Sequence, residues 1–372
     1  MGITQQIVLE AIDKIVESKS GKTLSALPAP NEPYKYMPFR KLKRLLNKLL
    51  SRFGFFLVTY SDYENSVQNC PNTFGEWSVE FLRYLMENPE EIDWLFTRLS
   101  DDYSRRMLKW FIQYRIASSL LGEKKNTLFP PKFSSDEYKK GLQAVIKTAK
   151  EEYMGVYEVE GFNILTSKGA LFETFFLNQY QYKNIVYPKA GDFVLDIGAY
   201  CGETTLWFSK SVGESGRVWA FEPESANRRI LEQNIRKKDV NNVKIVEKGA
   251  FNENTQMYIS SQGGSSTVVA KDVGESIDLV TIDHFVKSEG ISKIDYVKMD
   301  IEGSEQMAID GMVETIKKFS PNLALSVYHL HDDIVKIPEM VLKINPHYNV
   351  YLDHFSPNIS ETVMFFSDPS KN

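Results

Sequence analysis

Cysteine is scarce in this chain, which contains only Cys70 and Cys201 among its 372 residues. Two cysteines cannot form a disulfide framework, so the sequence excludes a small disulfide-stabilised secreted fold. No uninterrupted apolar run approaches the roughly 18 residues that a membrane-spanning helix requires. Residues 1–10 also lack the charged and apolar regions of a signal peptide. These absences together predict a cytoplasmic protein.

The charge is distributed unevenly along the chain. Residues 1–150 contain 23 Lys and Arg against 17 Asp and Glu (+6), residues 151–372 contain 21 against 32 (−11), and the two values sum to −5. Hydrophobic residues make up 42% of the sequence, which is enough for a packed core and excludes wholesale disorder. At roughly 150 residues per domain, the length favours two domains. The charge difference indicates a basic accessory region joined to an acidic catalytic one.

Residues 1–155 are predicted to be mostly helical, and they contain no motif that indicates chemistry. Apolar residues at helical spacing predict helices at 4–19, 39–53, 74–86, 90–100, 101–121 and 135–153, with a proline-bearing linker at 20–38. The helix at 39–53 is strongly basic and includes Lys43, Arg44 and Lys48. Such a helix could contact an anionic membrane surface or an acidic partner. We favour the simpler interpretation, a core-packing helix with a solvated basic face.

From residue 156, short strand-forming segments alternate with helices. Strands are predicted at 193–197, 217–222, 243–246, 296–300 and 323–329, and helices at 204–210, 224–237 and 302–318. This alternation predicts an α/β fold with a parallel sheet covered by helices on both faces. An antiparallel hairpin, 349–352 with 362–366, is predicted to follow.

The first of these strands leads into a glycine-bearing turn, Asp196-Ile197-Gly198-Ala199-Tyr200-Cys201-Gly202-Glu203-Thr204. The two glycines allow the backbone to approach a ligand closely, and the helix that follows offers free N–H groups. The turn differs from the G-x-G-x-x-G of a pyrophosphate-binding loop, because positions 200 and 201 are Tyr and Cys. A carboxylate in the turn would repel a pyrophosphate, so it suits a cofactor with a cationic or amine portion.

A second acid, Glu222, ends the next predicted strand, 26 residues after Asp196 (222 − 196). A carboxylate at this place can accept hydrogen bonds from both hydroxyls of a ribose. Either acid alone is more simply explained as a helix cap or a turn residue. The pair at this spacing favours a site for a nucleoside cofactor.

Three motifs in this half resemble those of the FkbM-type S-adenosylmethionine-dependent methyltransferases. They are the turn at 196–204, Phe221-Glu222-Pro223 with Asn227, and Lys298-Met299-Asp300-Ile301-Glu302-Gly303-Ser304-Glu305. The resemblance covers about residues 157–366. It implies a class I methyltransferase fold, a Rossmann-like seven-stranded sheet in the order 3-2-1-4-5-7-6 with a mostly helical N-terminal region. We therefore place the methyltransferase domain at 156–372 and a region for substrate or partner docking at 1–155.

The resemblance also implies which residues bind S-adenosyl-L-methionine and its product S-adenosyl-L-homocysteine. The implied set is Asp196, Gly198, Tyr200, Gly202, Glu203, Thr204, Glu222, Pro223, Gly249, Ala250 and Asp300. In this assignment Glu222 binds the ribose, Gly249 and Ala250 lie against the adenine, and Asp300 faces the reactive centre.

The topology predicts the catalytic residues, because ligands bind at the carboxyl ends of the strands in such sheets. Asp300 and His329 end neighbouring strands, and the antiparallel last strand brings Glu361 and His354 to the same edge. Methyl transfer to a hydroxyl requires alignment and the loss of a proton. A histidine oriented by a carboxylate suits proton removal, so we predict His329 as the base, with Glu361 or Asp300 orienting it. We give equal weight to the alternative that His329 is not a base and only forms a hydrogen bond at the end of its strand.

The same four residues could ligate a divalent metal, since histidine and carboxylates are legitimate ligands. The sequence has no compact ligand motif such as His-x-x-x-His, so we predict no metal.

The sequence therefore predicts a methyltransferase that acts on a small-molecule, glycan or peptide acceptor. O-methylation of a hydroxyl on a sugar or natural-product scaffold is favoured over N-methylation of a peptide side-chain amide. A non-catalytic binding module, with the basic helix contacting a membrane or partner, is the alternative from a different class. Nucleic acid is not expected, because the catalytic half has a net charge of −11 and the basic residues lack interleaved aromatics. A homodimer is left open.

Overall fold

The computed structural model describes residues 2–19, 75–121, 125–145, 154–236, 240–262, 265–269 and 274–371. The chain divides into two compact units. Unit 1 consists of Met1–Asp93 and Lys109–Pro130, and unit 2 consists of Trp94–Leu108 and Pro131–Asn372. The predicted basic helix at 39–53 and the linker at 20–38 lie outside the described residues. Within the described ranges, every helix is too short or too polar to cross a membrane.

The helices are numbered in chain order over the described residues. They are α1 Ile3–Lys19, α2 Gly75–Glu87, α3 Pro89–Arg98, α4 Asp102–Leu121, α5 Lys125–Leu128, α6 Ser135–Val145, α7 Lys168–Phe175, α8 Glu203–Val212, α9 Ser225–Arg236, α10 Ile282–Ser288, α11 Glu305–Asp310, α12 Val313–Phe319 and α13 Asp333–Ile344. A 3-10 turn follows at Pro369–Lys371.

The strands are numbered in the same way. They are β1 Met154–Val159, β2 Phe162–Ser167, β3 Phe193–Ile197, β4 Arg217–Phe221, β5 Val243–Val246, β6 Lys248–Ala250, β7 Thr255–Gln262, β8 Ser265–Val269, β9 Glu275–Val280, β10 Tyr296–Met299, β11 Asn322–Ser326, β12 Asn349–His354 and β13 Thr362–Ser367.

Unit 1 is helical over its described residues. The helix predicted at 4–19 is confirmed as α1, which buries Ile7, Ala11 and Ile15 at helical spacing. Its start is fixed by Thr4, whose backbone N–H donates to Asp93 Oδ1 at 2.7 Å. Apolar packing on one helix face therefore stabilises this element more than its intrinsic propensity does.

Seven strands of unit 2 form one mixed sheet in the order β12-β13-β11-β10-β3-β4-β5. Neighbours from β11 to β5 pair parallel, whereas β13 pairs antiparallel with both β11 and β12. The central strands β10 and β11 are buried along their whole length, as expected for strands covered on both faces. Numbered by chain order within this sheet, the strands run 3-2-1-4-5-7-6. The predicted α/β class is confirmed.

The helix predicted at 302–318 is wrong as a single element, because the structure has two shorter helices, α11 and α12. Glu302 and Gly303 have φ of +55° and +99°, values that a right-handed helix does not contain, so α11 begins only at Glu305. The helix α11 ends before Gly311, whose backbone lies directly against the segment at Phe251. A Cβ at Gly311 would lie 2.0 Å from the carbonyl oxygen of Phe251. This close backbone approach accounts for the interruption.

A second sheet of four strands, in the order β6-β9-β7-β8, was not predicted from the sequence. It has its own small apolar core of Ile259, Ile277 and Leu279. The hairpin β1–β2 was likewise not assigned as strands, although it pairs over six residues on each side. Both sheets are antiparallel in large part, and their alternating polar residues gave a weak strand signal.

Candidate functional site

A cavity of about 670 Å³ lies at the carboxyl ends of β3, β4 and β10, entirely within unit 2. Ten of the predicted site residues line it: Gly198, Tyr200, Glu203, Thr204, Glu222, Pro223, Gly249, Ala250, Asp300 and Glu361. Four others, Asp196, Gly202, His329 and His354, are not among its lining residues. The parallel sheet thus brings most of the predicted set to one edge, as the topology requires.

The turn after β3 depends on glycine at two positions. Gly198 has φ of +84°, and a Cβ there would lie 1.9 Å from the carbonyl oxygen of Asp300. Gly202 has φ of +91° and lies against Leu231, whose Cδ1 would be 2.5 Å from an added Cβ. Gly202 therefore serves helix packing, and Gly198 allows the turn to approach the end of β10.

Glu222 is held in one orientation by the backbone around it. Its Oε2 accepts from the Tyr200 N–H at 2.9 Å, and its Oε1 accepts from the Glu224 N–H at 3.0 Å. The side chain is buried yet lines the cavity. Burial raises the pKa of Glu222 to about 7, although the two N–H donors favour its ionised form. Each carboxylate oxygen keeps a lone pair for a ligand hydroxyl.

Asp196 does not face the cavity, contrary to its predicted contact with the cofactor. The carboxylate is completely buried, and its Oδ2 accepts from Thr204 Oγ1 at 2.9 Å and Thr205 Oγ1 at 2.6 Å. Its Oδ1 lies 3.4 Å from Lys298 Nζ. The ammonium also donates to the carbonyl oxygens of residues 197 and 198. Asp196 therefore holds the turn from behind the cavity wall, whereas Lys298, which pairs with it, also lines the cavity.

Glu203 occupies the first turn of α8 and lines the cavity beside this turn. It is buried, and burial raises its pKa to about 7. Thr166 Oγ1, at the end of β2, lies 3.3 Å from Glu203 Oε2. The hairpin β1–β2 therefore contributes to the site through this contact.

His329 lies behind Asp300, surrounded by carboxylates. Its Nδ1 is 2.9 Å from Glu305 Oε1, and its Nε2 is 3.4 Å from Asp300 Oδ1 and 3.5 Å from Glu302 Oε2. Burial lowers the pKa of His329, but the attraction of these three carboxylates outweighs it and raises the pKa to about 10. An imidazole with this pKa is protonated at neutral pH and cannot accept a proton. The geometry therefore argues against His329 as the base.

Asp300 and Glu361 are joined by hydrogen bonds in which neither histidine takes part. Tyr180 Oη donates to Asp300 Oδ2 at 2.7 Å, and Tyr328 Oη lies 3.5 Å from Asp300 Oδ1 and 3.3 Å from Glu361 Oε1. Gln179 Nε2 donates to Glu361 Oε2 at 2.6 Å. Of the four residues predicted to converge here, Asp300 and Glu361 lie close together, with Tyr328 between them.

His354 does not join this group, so its predicted place at the reactive centre is wrong. The ring is completely buried, with Nδ1 at 2.9 Å from Thr362 Oγ1 and Nε2 at 3.4 Å from Ser356 Oγ. Both contacts lie within the β12–β13 hairpin. Alternate residues of a strand point to opposite faces, so reaching the correct edge does not place a side chain in the site.

Sequence reasoning missed several cavity residues that come from the segment after β2. Glu173 of α7, Gln179 and Tyr180 all line the cavity close to Asp300. Burial, together with the charge of Asp300, raises the pKa of Glu173. Burial also raises the pKa of Glu361, and the charges of Glu173 and Asp300 add to this effect. No motif marks this segment, and only a strand–helix pattern at 162–175 could have indicated it.

The comparisons with known proteins agree with this geometry. Residues 196–353 match the family model described as "Methyltransferase FkbM domain". The crystal structure of a methyltransferase FkbM from Methylobacillus flagellatus is similar in fold, with 20% identity and a TM-score of 0.53 over 87% of this chain and 70% of that chain. No curated protein sequence matches the chain.

Lower structural similarity links the chain to the fibrillarin of Aeropyrum pernix, whose structure contains natively bound S-adenosyl-L-methionine. The identity is 14% and the TM-score 0.38, over 60% of this chain and 86% of that chain. The family model runs from the end of β3 into β12, the segment that supplies the turn, Glu222 and Asp300. Residues 196–353 of this chain are thus similar to the FkbM methyltransferase domain.

Proposed function

We propose that the protein transfers the methyl group of S-adenosyl-L-methionine to a hydroxyl oxygen of an acceptor bound in the cavity. The acceptor oxygen forms a bond to the methyl carbon while the carbon–sulfur bond breaks. The sulfur keeps that electron pair and becomes the thioether of S-adenosyl-L-homocysteine, and the hydroxyl proton is released to water. The chemistry requires alignment of three atoms more than acid or base strength.

The observation that carries this proposal is the orientation of Glu222 beside the turn at Gly198. Two backbone N–H groups hold the carboxylate at the end of β4, so it can accept hydrogen bonds from two vicinal hydroxyls without losing side-chain entropy. Next to it, Gly249 and Ala250 meet the apolar residues Ile277 and Leu279 in the cavity wall. When the ribose of the cofactor is bound to Glu222, its adenine base would lie against this apolar part of the cavity wall.

The opposite end of the cavity is rich in carboxylates and suits a cationic donor. Glu173, Asp300, Glu302 and Glu361 all line it, and burial raises the pKa of three of them, Glu173, Glu302 and Glu361. Two cationic groups lie nearby, Lys298 in the cavity wall and His329 beside Asp300 and Glu302. They are fewer than the four carboxylates, so the excess negative charge attracts a positive ligand. A sulfonium carries such a charge at the atom where the reaction occurs, and it loses this charge on transfer. The acidic end therefore supports binding of the donor more than of its product.

The groups around this end also support an acceptor with hydrogen-bonding hydroxyls. Gln179, Tyr180 and Tyr328 present amide and phenol groups beside Asp300 and Glu361. A sugar or a hydroxylated natural product offers donors and acceptors for this set. We propose such a sugar or natural-product scaffold as the acceptor. We also propose that residues 1–155 dock a substrate or a partner, and that the protein is cytoplasmic.

Isothermal titration calorimetry with S-adenosyl-L-homocysteine tests the proposal on the purified full chain. We expect one binding site per chain, and Glu222→Ala should weaken binding at least about tenfold, the equivalent of roughly 1.4 kcal/mol. The matched control is Glu253→Ala, because Glu253 is an exposed acid outside the cavity and its replacement should leave the affinity unchanged. Absence of binding of both the donor and its product to the wild type would refute the proposal.

The atom that receives the methyl group can be read from the product. Incubation with donor carrying a ¹³C-labelled methyl group, over a panel of hydroxylated small molecules, sugars and amide-bearing peptides, should yield a carbon resonance typical of a methyl ether. A resonance typical of an N-methyl amide would instead establish the N-methylation alternative.

A further inference from the structure

Three carboxylates surround His329 at the edge of the cavity, with Glu305 beside Nδ1 and Asp300 and Glu302 beside Nε2. Asp300, Glu305 and His329 each offer a ligand atom, and these atoms lie within 4.8 Å of one another. Glu302 adds a further oxygen, 3.5 Å from His329 Nε2. Asp300 and Glu302 line the cavity, whereas Glu305 is completely buried beneath them.

The imidazole ring is fixed from behind by Glu305. The carboxylate accepts from the Ile301 N–H at 2.8 Å and the Gly303 N–H at 3.0 Å, which holds it in place. It also accepts from His329 Nδ1 at 2.9 Å, because a carboxylate has no proton to donate. A ring held in this way presents Nε2 on its other side. Histidines that bind metals are commonly held by a carboxylate through their second nitrogen.

The Nε2 atom of His329 has no hydrogen-bond partner among the described residues. The side chain is only 6% exposed, so water does not readily satisfy this atom. The two oxygens that approach Nε2, at 3.4 and 3.5 Å, lie beyond good hydrogen-bond geometry. These nitrogen–oxygen distances are longer than those of a hydrogen bond and leave room for a metal ion between the ligand atoms. Metal–ligand bonds of about 2.0–2.1 Å in a tetrahedron separate neighbouring ligand atoms by roughly 3.4 Å.

We propose that His329 Nε2, Asp300 and Glu302 bind one divalent transition-metal ion, with Glu305 holding the imidazole in its ligating orientation. The ion would displace the proton that His329 carries in the metal-free protein, and this proton would be released to solvent. The nitrogen ligand and the two carboxylates favour an ion of the zinc, cobalt or manganese class over Mg²⁺ or Ca²⁺, which prefer oxygen alone. This set replaces the sequence prediction of no metal, and it excludes His354, which lies elsewhere.

The backbone supports a specific placement of Glu302. Its φ of +55° is in the left-handed region, which a residue with a Cβ adopts at a cost, and Gly303 follows with φ of +99°. Backbone strain of this kind concentrates at functional sites. Here the two residues turn the Glu302 carboxylate toward His329 and away from the helix that follows.

The ion would lie at the acidic end of the cavity, where an open coordination position can accept the oxygen of an acceptor hydroxyl. Binding to the ion would lower the pKa of that hydroxyl and orient it toward the methyl group. This role rests on the proposed methyl transfer, but the existence of the site does not.

Cobalt provides a direct test, because its visible spectrum reports nitrogen and oxygen ligation. The full chain is treated with a chelator, dialysed and titrated with Co²⁺ and then Zn²⁺, with metal content measured by mass spectrometry. We expect one ion per chain. His329→Gln should abolish specific binding, and Glu302→Gln should weaken it at least tenfold. The control is Glu339→Gln, whose acid lies on α13 outside the cavity and whose loss should change nothing.

Two outcomes would overturn the inference. One is the absence of stoichiometric uptake by the wild type. The other is uptake that both His329→Gln and Glu302→Gln leave intact while their circular dichroism matches the wild type. Titration of the metal-free chain with S-adenosyl-L-homocysteine separates the proposals. Binding of this product without metal uptake refutes only the metal site, and metal uptake without product binding refutes only the proposed function.

Discussion

Replacement of Lys298 by methionine should destabilise unit 2 by about 3–5 kcal/mol, the usual cost of leaving one partner of a buried ion pair alone. Lys298 is only 2% exposed, and its Nζ lies 3.4 Å from Asp196 Oδ1. Asp196 Oδ1 has no hydrogen-bond donor among the described residues, since Thr204 and Thr205 both donate to Oδ2, so the charge of the ammonium is what compensates it. Methionine has a similar volume, so a cavity contributes little to the loss.

Urea unfolding measures this effect through the fluorescence of Trp207 and Trp219, which are buried in unit 2. The free energy of unfolding should partly recover in the double variant with Asp196→Asn, because the asparagine side chain carries no unpaired charge. Lys293→Met is the control. Lys293 forms an exposed ion pair with Asp295 at 2.8 Å, and its loss should cost less than about 1 kcal/mol.

A loss below about 1 kcal/mol for Lys298→Met would refute this reasoning, as would a double variant no more stable than the single one. Either result would mean that the turn does not depend on the buried pair. The same variants should weaken binding of S-adenosyl-L-homocysteine, because the pair positions the turn that lines the cavity.

Three further predictions concern the cavity itself. Gly198→Ala should abolish product binding in calorimetry because its Cβ meets the Asp300 carbonyl at 1.9 Å, whereas Gly213→Ala, at φ of +66° with nothing within 4 Å, should cost only about 1–2 kcal/mol of stability. Burial raises the pKa of Glu222 from 4.5 to about 7, so the empty protein should lose stability as the pH rises between these values. Product affinity should increase as the pH passes 7, and Glu222→Gln should remove both effects. Tyr180→Phe removes the 2.7 Å hydrogen bond to Asp300 and should lower kcat/KM about tenfold with unchanged product affinity, a result that steady-state kinetics checks.

The parts of the fold that the sequence predicts well are those with strong local signals. The strand 193–197 was predicted to the residue because an apolar run ends there at a glycine turn. The strand 243–246 and the β12–β13 pairing were also predicted, since turn residues bound them clearly. In each case the hydrophobic pattern and the turn chemistry indicate the same structure.

The errors arose where a distant contact decides the local structure. Gly311 interrupts a helical pattern because of Phe251, which is 60 residues earlier in the chain (311 − 251). Asp196 was expected to face the ligand, but Lys298 and two threonines bind it inside the protein. His354 reached the predicted edge with its side chain directed into the hairpin. A single sequence contains no record of such contacts, so strand topology locates the site but not the direction of each side chain.

The three acids of residues 300–305, Asp300, Glu302 and Glu305, have different structural positions. Asp300 and Glu302 line the cavity, whereas Glu305 turns back and accepts the N–H groups of Ile301 and Gly303. Because Glu305 also binds Nδ1 of His329, one buried carboxylate joins the loop after β10 to the segment after β11. Two acids are therefore available for chemistry only because the third fixes the loop that presents them. The motif therefore has a structural role in holding this loop, beside the roles proposed for Asp300 and Glu302.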